Sequence, residues 1–336
     1  MVSDTVIVKT ARHSMGTRFE IVVCGDDEIT LRTAAERALD EIEQVEEQLS
    51  IYIPDSDISD INARAANEPV KVEPQLFQLL KRAAELNAAT WGAFDITVAP
   101  VMRALNAMAS QDENPPDDEA MRLEDARQCI GMSKVILDDA LGSVRFLDKG
   151  VMLDLGGIGK GYAIERAVAV LRDANIVSAF IHGGTSSIYA LGSPPGQDAW
   201  LVGVTDAREP NQRIATLALR DKALSVSSIY GWKKAEKSKR CRHVIDPHTG
   251  MPSKGVLRAY AISSSPTDVD ALSTAFLVLG VEGVREYCKQ HPEVGALLML
   301  DASKCEKCTI VAFGLDGIIK LNCAQCEYFV TEAMNR

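Results

Sequence analysis

The chain has 336 residues, 46% of them hydrophobic and 25% charged, with a formal net charge of −11 at pH 7. This is soluble globular composition with enough chain for a substantial core. The acidity excludes nucleic acid as the main partner, because a phosphate backbone calls for a basic face. An anionic ligand must then be met locally, by a glycine loop, a helix end or a bound cation. The opening MVSDTVIVKTARHSMGTRFEIVV has no basic stretch followed by a long apolar core, and no apolar run reaches membrane-spanning length. Eight cysteines in a chain this long do not make a secreted disulfide scaffold. The expected setting is reducing and cytoplasmic, or periplasmic or membrane-anchored if an export signal has been removed ahead of Met1.

In chain order, residues 17–23 alternate like a half-buried strand and end at the turn Gly25-Asp26-Asp27. Over residues 31–49 the apolar positions Leu31, Ala34, Ala35, Ala38, Leu39, Ile42, Val45 and Leu49 repeat with helical spacing, with acids on the other face. Pro74 opens a second helix through Leu76, Leu79, Leu80, Ala83 and Leu86, which stops before Gly92. The stretch SQDENPPDDEAM (110–121) is acidic and proline-rich, a surface excursion within one domain. Residues 134–153 predict two strands around a turn, and 178–191, 199–205 and 256–264 add strands. Residues 268–280 and 281–289 predict helices, and no internal repeat is present. Strands and helices mixed without strict alternation predict an α+β fold of mainly antiparallel sheets flanked by helices.

Four segments carry candidate chemistry. In VMLDLGGIGKGYAIERAVAVL (151–171) an apolar strand meets Asp154, then Gly156, Gly157, Gly159 and Gly161, then a helical pattern. The spacing fits neither the dinucleotide fingerprint G-x-G-x-x-G nor the P-loop G-x-x-x-x-G-K-[ST]. Phosphate contact and a tight strand-to-helix turn both remain open. In HVIDPHTGMP (243–252) His243 precedes an apolar pair and Asp246-Pro247, which can set an imidazole beside a carboxylate for acid–base work. A turn capped by Asp246 explains the same residues.

In SPTDVDALSTAFLVLG (265–280), Asp270, Ser273 and Thr274 stand at i, i+3 and i+4 and share a helix face. One carboxylate with two hydroxyls suits a hard-oxygen Mg²⁺ site completed by carbonyls, water and substrate phosphate, while simple helix capping is the plain alternative. In TWGAFDITVAP (90–100), Phe94 and Asp95 follow Gly92. The ring can stack on a planar ligand and the acid can accept from its N–H groups, or Phe94 can simply be core.

Taken together and in order, MGTRFEI, LSIYIPDSDISDIN, GAFDITVAP, LDLGGIGKGYAIERA, HVIDPHTGMP and DVDALSTAFLVLG resemble the ApbE family of FAD:protein FMN transferases, over about residues 14–280. The resemblance implies an enzyme that binds FAD with Mg²⁺, cuts the pyrophosphate and releases AMP. It would attach FMN to a Thr or Ser of a flavin-acceptor protein. It also implies roles. Met15, Tyr52, Ala93, Phe94, Asp95, Gly156, Tyr162 and Ile245 would contact FAD. The Gly159 carbonyl, Asp270, Thr274 and Ser273 would hold the metal. His243 would act as base, and Lys160 would offset pyrophosphate charge. Three positions depart from the family pattern: Thr185 after Gly183-Gly184 replaces an acid, Ser225-Val226-Ser227-Ser228 replaces a Thr-Ser-Gly turn, and VMRALNAMAS replaces a Trp-containing segment. An FAD pyrophosphatase releasing free FMN, an FAD-binding protein with little catalysis, and a redox or interaction module stand as alternatives.

The tail CEKCTIVAFGLDGIIKLNCAQC lies outside the family pattern. Cys305/Cys308 and Cys323/Cys326 are two pairs at near zinc-site spacing. A hairpin folded about residues 315–316 would set Cys308 opposite Cys323 and Cys305 opposite Cys326, so a structural Cys₄ zinc site is expected, with a disulfide or dithiol arrangement as the alternative. The organisation expected is a transferase domain over residues 1–300 with this hairpin, residues 301–336, packed on it. Cys24, Cys129, Cys241 and Cys288 lack such spacing and read as ordinary thiols.

Overall fold

In a computed structural model of the chain the described residues are 5–109, 123–207, 209, 211–229, 244–300, 309–322 and 327–330. The acidic excursion 110–121, His243, Cys241 and the four tail cysteines Cys305, Cys308, Cys323 and Cys326 lie outside them. The chain runs β1 (Val6–Ser14), β2 (Thr17–Gly25), α1 (Glu28–Leu49), α2 (Asp57–Arg64), β3 (Val70–Lys71), α3 (Pro74–Ala89), α4 (Ala99–Ala109) and α5 (Leu123–Gln128). It continues through β4 (Val135–Asp138), β5 (Ser143–Phe146), α6 (Gly159–Asp173), β6 (Ala179–Gly183), β7 (Ser187–Leu191), β8 (Trp200–Thr205), β9 (Arg213–Leu219) and β10 (Lys222–Ser228). Last come β11 (Ile245–Asp246), β12 (Met251–Pro252), β13 (Val256–Ser263), α7 (Pro266–Gln290), β14 (Gly295–Leu300), β15 (Thr309–Phe313), β16 (Ile319–Leu321) and β17 (Glu327–Val330). The fold is α+β, as the unalternated pattern predicts.

Two compact units form: one from Met1–Glu46, Ile158–Val244 and Ser253–Arg336, the other from Glu47–Gly157 and Ile245–Pro252. The first unit is built on a nine-stranded sheet in the order β1-β2-β6-β7-β10-β13-β14-β15-β17. Every pair in it is antiparallel except β15 with β17. All eight residues of the central strand β13 are buried, which fits a strand covered on both faces. Helix α7 lies across β10 and β13, and α6 packs on α7 and β7. A smaller sheet, β16-β9-β8, completes the unit. The second unit holds the sheet β3-β5-β4, helices α2 to α5 and the short pair β11-β12. Its core includes Ile58, Ile61, Leu76, Leu80, Leu86 and Ile96.

Local patterns explain most elements. All eight apolar positions predicted on one side of α1 are buried. Pro74 stands in the first turn of α3, where its missing N–H costs nothing, and Glu73 accepts from the N–H groups of Gln75 and Leu76. The predicted break near residue 280 falls at Gly280, whose φ of 64° and ψ of −170° interrupt α7.

The hairpin expected about residues 315–316 is not formed. β15 pairs with β14 and β17, while β16 pairs with β9 in the other sheet. Both edges of β15 are occupied, so β16 has no free ladder to join. Leu315 is buried in the intervening turn, and its Cδ2 lies where a side chain on Gly295 would stand. The hairpin on which the Cys₄ expectation rests is therefore absent among the described residues, and the four cysteines themselves lie outside them. Cys24, Cys129 and Cys288 are free and buried, and burial pushes each thiol up, Cys288 to about 12, which keeps them protonated at neutral pH. Among the described residues no helix is long and apolar enough to cross a membrane.

Candidate active site

Period-two geometry on β10 sets Ser225 and Ser227 on the same face. Register places Ser225 directly beside Ser187 of β7. Period-3.6 geometry on α7 sets Asp270, Ser273 and Thr274 on the face turned toward them. The two faces meet in a buried cluster, with Asp270 only 4% exposed. Asp270 Oδ1 accepts from the Ser225 hydroxyl at 2.9 Å and the Ser187 hydroxyl at 3.2 Å. The Ser273 hydroxyl donates to Ser225 Oγ at 3.2 Å and to the Asp270 carbonyl at 3.0 Å. Ser227 Oγ stands 2.8 Å from Ser273 Oγ and 3.1 Å from Thr274 Oγ1.

The other carboxylate oxygen ties two helices together. Asp270 Oδ2 accepts from the Gly161 N–H at 2.9 Å, in the first turn of α6. The residue before α6, Ile158, has no side chain able to cap it, so a carboxylate from α7 takes the capping role. The exchange is reciprocal. Glu165 Oε2 on α6 accepts from the Thr267 N–H at 3.2 Å, the Thr267 hydroxyl at 2.5 Å and the Ser265 hydroxyl at 3.2 Å, at the start of α7. Gly161 is obligatory: a Cβ there would lie 2.2 Å from the Pro266 carbonyl oxygen and 2.7 Å from Asp270 Cβ.

This donor set is made only of oxygen. An ionised carboxylate offers about four lone-pair positions, and the protein fills three with the Gly161, Ser187 and Ser225 donors. Among the described residues no three His, Cys, Asp or Glu side chains converge. A cation here would rest on Asp270 with hydroxyl, carbonyl and substrate oxygens, a hard-oxygen environment that suits Mg²⁺ better than a soft metal.

The remaining candidates divide between the units. Gly159, Lys160 and Tyr162 occupy the first turns of α6 in the first unit, and Met15 sits at the tip of the β1–β2 hairpin with φ 50°. Tyr52, Ala93, Phe94, Asp95, Gly156 and Ile245 belong to the second. Tyr52 is 88% exposed before α2, whereas Ala93 and Phe94 are buried core residues. Burial pushes the Asp95 carboxyl up, and hydrogen bonds from the Thr97 hydroxyl and N–H oppose the shift. The Gly156 N–H donates to Asp154 Oδ1 at 2.8 Å, a turn closed by the acid that precedes it. Ile245 packs its side chain against Val101, Ala104 and Ala126.

Sequence reasoning did not single out Ser187, Ser225, Ser227, Gly161 or Glu165 as a group. Serines alternating in a strand were the available signal, but nothing local shows which helix they face.

The profile of the ApbE family matches residues 15–298. The chain belongs to the ApbE family. An FAD:protein FMN transferase of Treponema pallidum (strain Nichols) is 30% identical over 311 residues, covering 86% of this chain and 85% of that protein. One from Haemophilus influenzae is 27% identical over 301 residues, covering 86% and 85%. Among solved structures, the ApbE protein of Thermotoga maritima superposes with a TM-score of 0.76 at 29% identity, covering 88% of this chain and 95% of that one. The flavin transferase ApbE of Vibrio cholerae shares the fold with a TM-score of 0.75 at 22% identity, covering 94% and 99%. In this ApbE chain the matched span holds the Asp270 cluster and the α6 glycine turn together.

Proposed function

We propose that this ApbE protein transfers FMN from FAD, in the presence of Mg²⁺, to a Thr or Ser hydroxyl of an acceptor protein and releases AMP. The reading rests on one observation: in a chain of this family, a buried carboxylate ringed by hydroxyls is held against the first turn of the glycine-loop helix. Asp270, with Thr274, Ser273 and the Gly159 carbonyl, would hold the cation. Bound there, Mg²⁺ would neutralise charge that builds on the phosphoryl oxygens.

The rest is the work of the chain's own residues. Ser187, Ser225 and the Gly161 N–H fix the Asp270 carboxylate, so its charge needs no reorganisation when substrate arrives. Lys160, in the first turn of α6, would offset pyrophosphate charge that a protein of net charge −11 otherwise repels. The acceptor hydroxyl oxygen attacks the phosphorus on the FMN side. The bond from that phosphorus to the bridging oxygen breaks, AMP leaves with the bridging oxygen, and His243 would take the hydroxyl proton. Met15, Tyr52, the Ala93-Phe94-Asp95 turn, Gly156, Tyr162 and Ile245 would contact the dinucleotide.

Incubation with FAD, Mg²⁺ and a flavin-acceptor domain should yield AMP and protein-bound flavin in equal amounts, read by chromatography and by in-gel fluorescence. AMP with only free FMN would convert the reading to a pyrophosphatase. Bound FAD with no AMP would reduce it to flavin binding.

The tail cysteines Cys305, Cys308, Cys323 and Cys326 are proposed to hold one structural zinc. Their spacing supports this, as does the strand that follows each pair: β15 and β17 lie side by side and parallel, Thr309 opposite Glu327. Metal analysis of the dialysed protein should find about one zinc per chain, the stoichiometry of a Cys₄ site. No zinc, with those four thiols titratable, would remove the site.

A further inference from the structure

Helix α3 ends in a motif whose critical position is normally glycine. The Trp91 N–H donates to the Ala88 carbonyl at 3.1 Å and the Gly92 N–H to the Asn87 carbonyl at 2.7 Å. This pair of bonds puts the first residue beyond the helix end in the left-handed region, where glycine or asparagine is favoured. Here it is a tryptophan, with φ 52°. For so bulky a side chain that conformation is a genuine outlier, and it persists only where the surroundings over-determine it.

They do. The Thr90 hydroxyl donates to the Leu86 carbonyl at 2.7 Å and accepts from the Phe94 N–H at 3.1 Å, while the Asn87 amide donates to the Phe94 carbonyl at 2.7 Å. Gly92, at φ 83°, has the His248 ring 3.1 Å from where a Cβ would stand. The turn is locked from both sides, and Trp91 keeps 45% of its surface exposed. A large aromatic is thus fixed, half in solvent, three residues before Phe94, whose own ring is buried.

We propose that Trp91 is the aromatic platform of this segment, stacking on a planar ring of FAD in place of the buried Phe94. The inference rests on the FMN-transferase reading, because that reading brings FAD to the Ala93-Phe94-Asp95 turn. The strained conformation at a position glycine would fill freely, together with the half-exposed ring, carries this assignment.

Titration with FAD and Mg²⁺ tests it, following tryptophan fluorescence and, in parallel, equilibrium dialysis. The wild-type chain, which has three tryptophans, should show strong quenching, and Trp91→Phe should lose most of it while still binding FAD. Trp91→Gly relieves the left-handed strain, so its Tm should be unchanged or higher, while its FAD affinity falls about tenfold or more, the scale of one ring–base stack. Quenching by FMN or by AMP alone tells which ring is covered. The proposal fails if Trp91→Gly binds FAD as tightly as wild type, if its Tm falls along with its affinity, or if Trp91→Phe keeps the full quench. No FAD binding by the wild-type chain would remove the transferase reading and this one with it.

Discussion

Replacing Asp270 with alanine should lower Mg²⁺-dependent AMP release by roughly 10³-fold, the scale seen when one preorganised electrostatic group is lost from a catalytic site. Among the described residues of this cluster the carboxylate is the one acidic group in a ring of hydroxyls, and it alone among them can anchor a divalent ion. Its removal also leaves the Gly161 N–H and the Ser187 and Ser225 hydroxyls without their acceptor. A buried donor left unpaired costs about 1–3 kcal/mol. The Ser225 hydroxyl can rotate toward Ser273 Oγ and the Ser187 hydroxyl toward Ser186 Oγ, so a total of about 2 kcal/mol is expected rather than the full sum. Asp270→Asn separates the two effects. It keeps the volume and one acceptor oxygen, so Tm should fall less, but it removes the charge, so activity should fall as far as in the alanine variant. AMP release at saturating FAD, with Tm from calorimetry, reads both. Activity within tenfold of wild type in the alanine variant would refute the assignment.

Gly161→Ala should be the most damaging single methyl addition in the α6 turn. Alanine is favoured over glycine inside a helix by about 1 kcal/mol, so propensity alone predicts a gain. Sterics decide otherwise. The new Cβ would stand 2.2 Å from the Pro266 carbonyl oxygen and 2.7 Å from Asp270 Cβ. Neither atom is the loose end of a side chain, so α6 and α7 must part or tilt. Such overpacking costs about 1–3 kcal/mol, and a 2.2 Å approach to a backbone oxygen puts this case near the upper end, which leaves a net loss of about 2 kcal/mol after the helix-propensity gain. The functional loss should exceed what that implies. The movement draws Asp270 Oδ2 away from the Gly161 N–H, and a displacement near 1 Å at a reacting centre can cost about 100-fold. A variant that folds with wild-type Tm and activity would show that the two helices are not held in contact here.

Much of the molecule was legible without coordinates. The buried stripe of α1, the proline-opened α3, the paired β4 and β5, and the break at Gly280 follow from spacing and turn residues. Asp270, Ser273 and Thr274 were legible as one face because helical period places them there. The tail misled for a local reason. Two strand-like runs around Gly314 and Gly317 read as a hairpin, yet β15 already had partners on both edges.

By itself, then, the sequence determined the acidic character that demands a local answer to a pyrophosphate, the order of motifs that marks an ApbE chain, and the element pattern of an α+β fold. Only the tertiary structure decided which polar faces meet. Ser225 and Asp270 stand 45 positions apart, Ser187 and Asp270 83, and Gly161 and Asp270 109. Periodicity orients a side chain on its own element, but the partner across the packed layer is chosen by how strands and helices stack over the whole core. For the same reason the left-handed Trp91 could not be foreseen: its conformation is set by bonds to Asn87 and Ala88 and by the His248 ring against Gly92, not by its own preference.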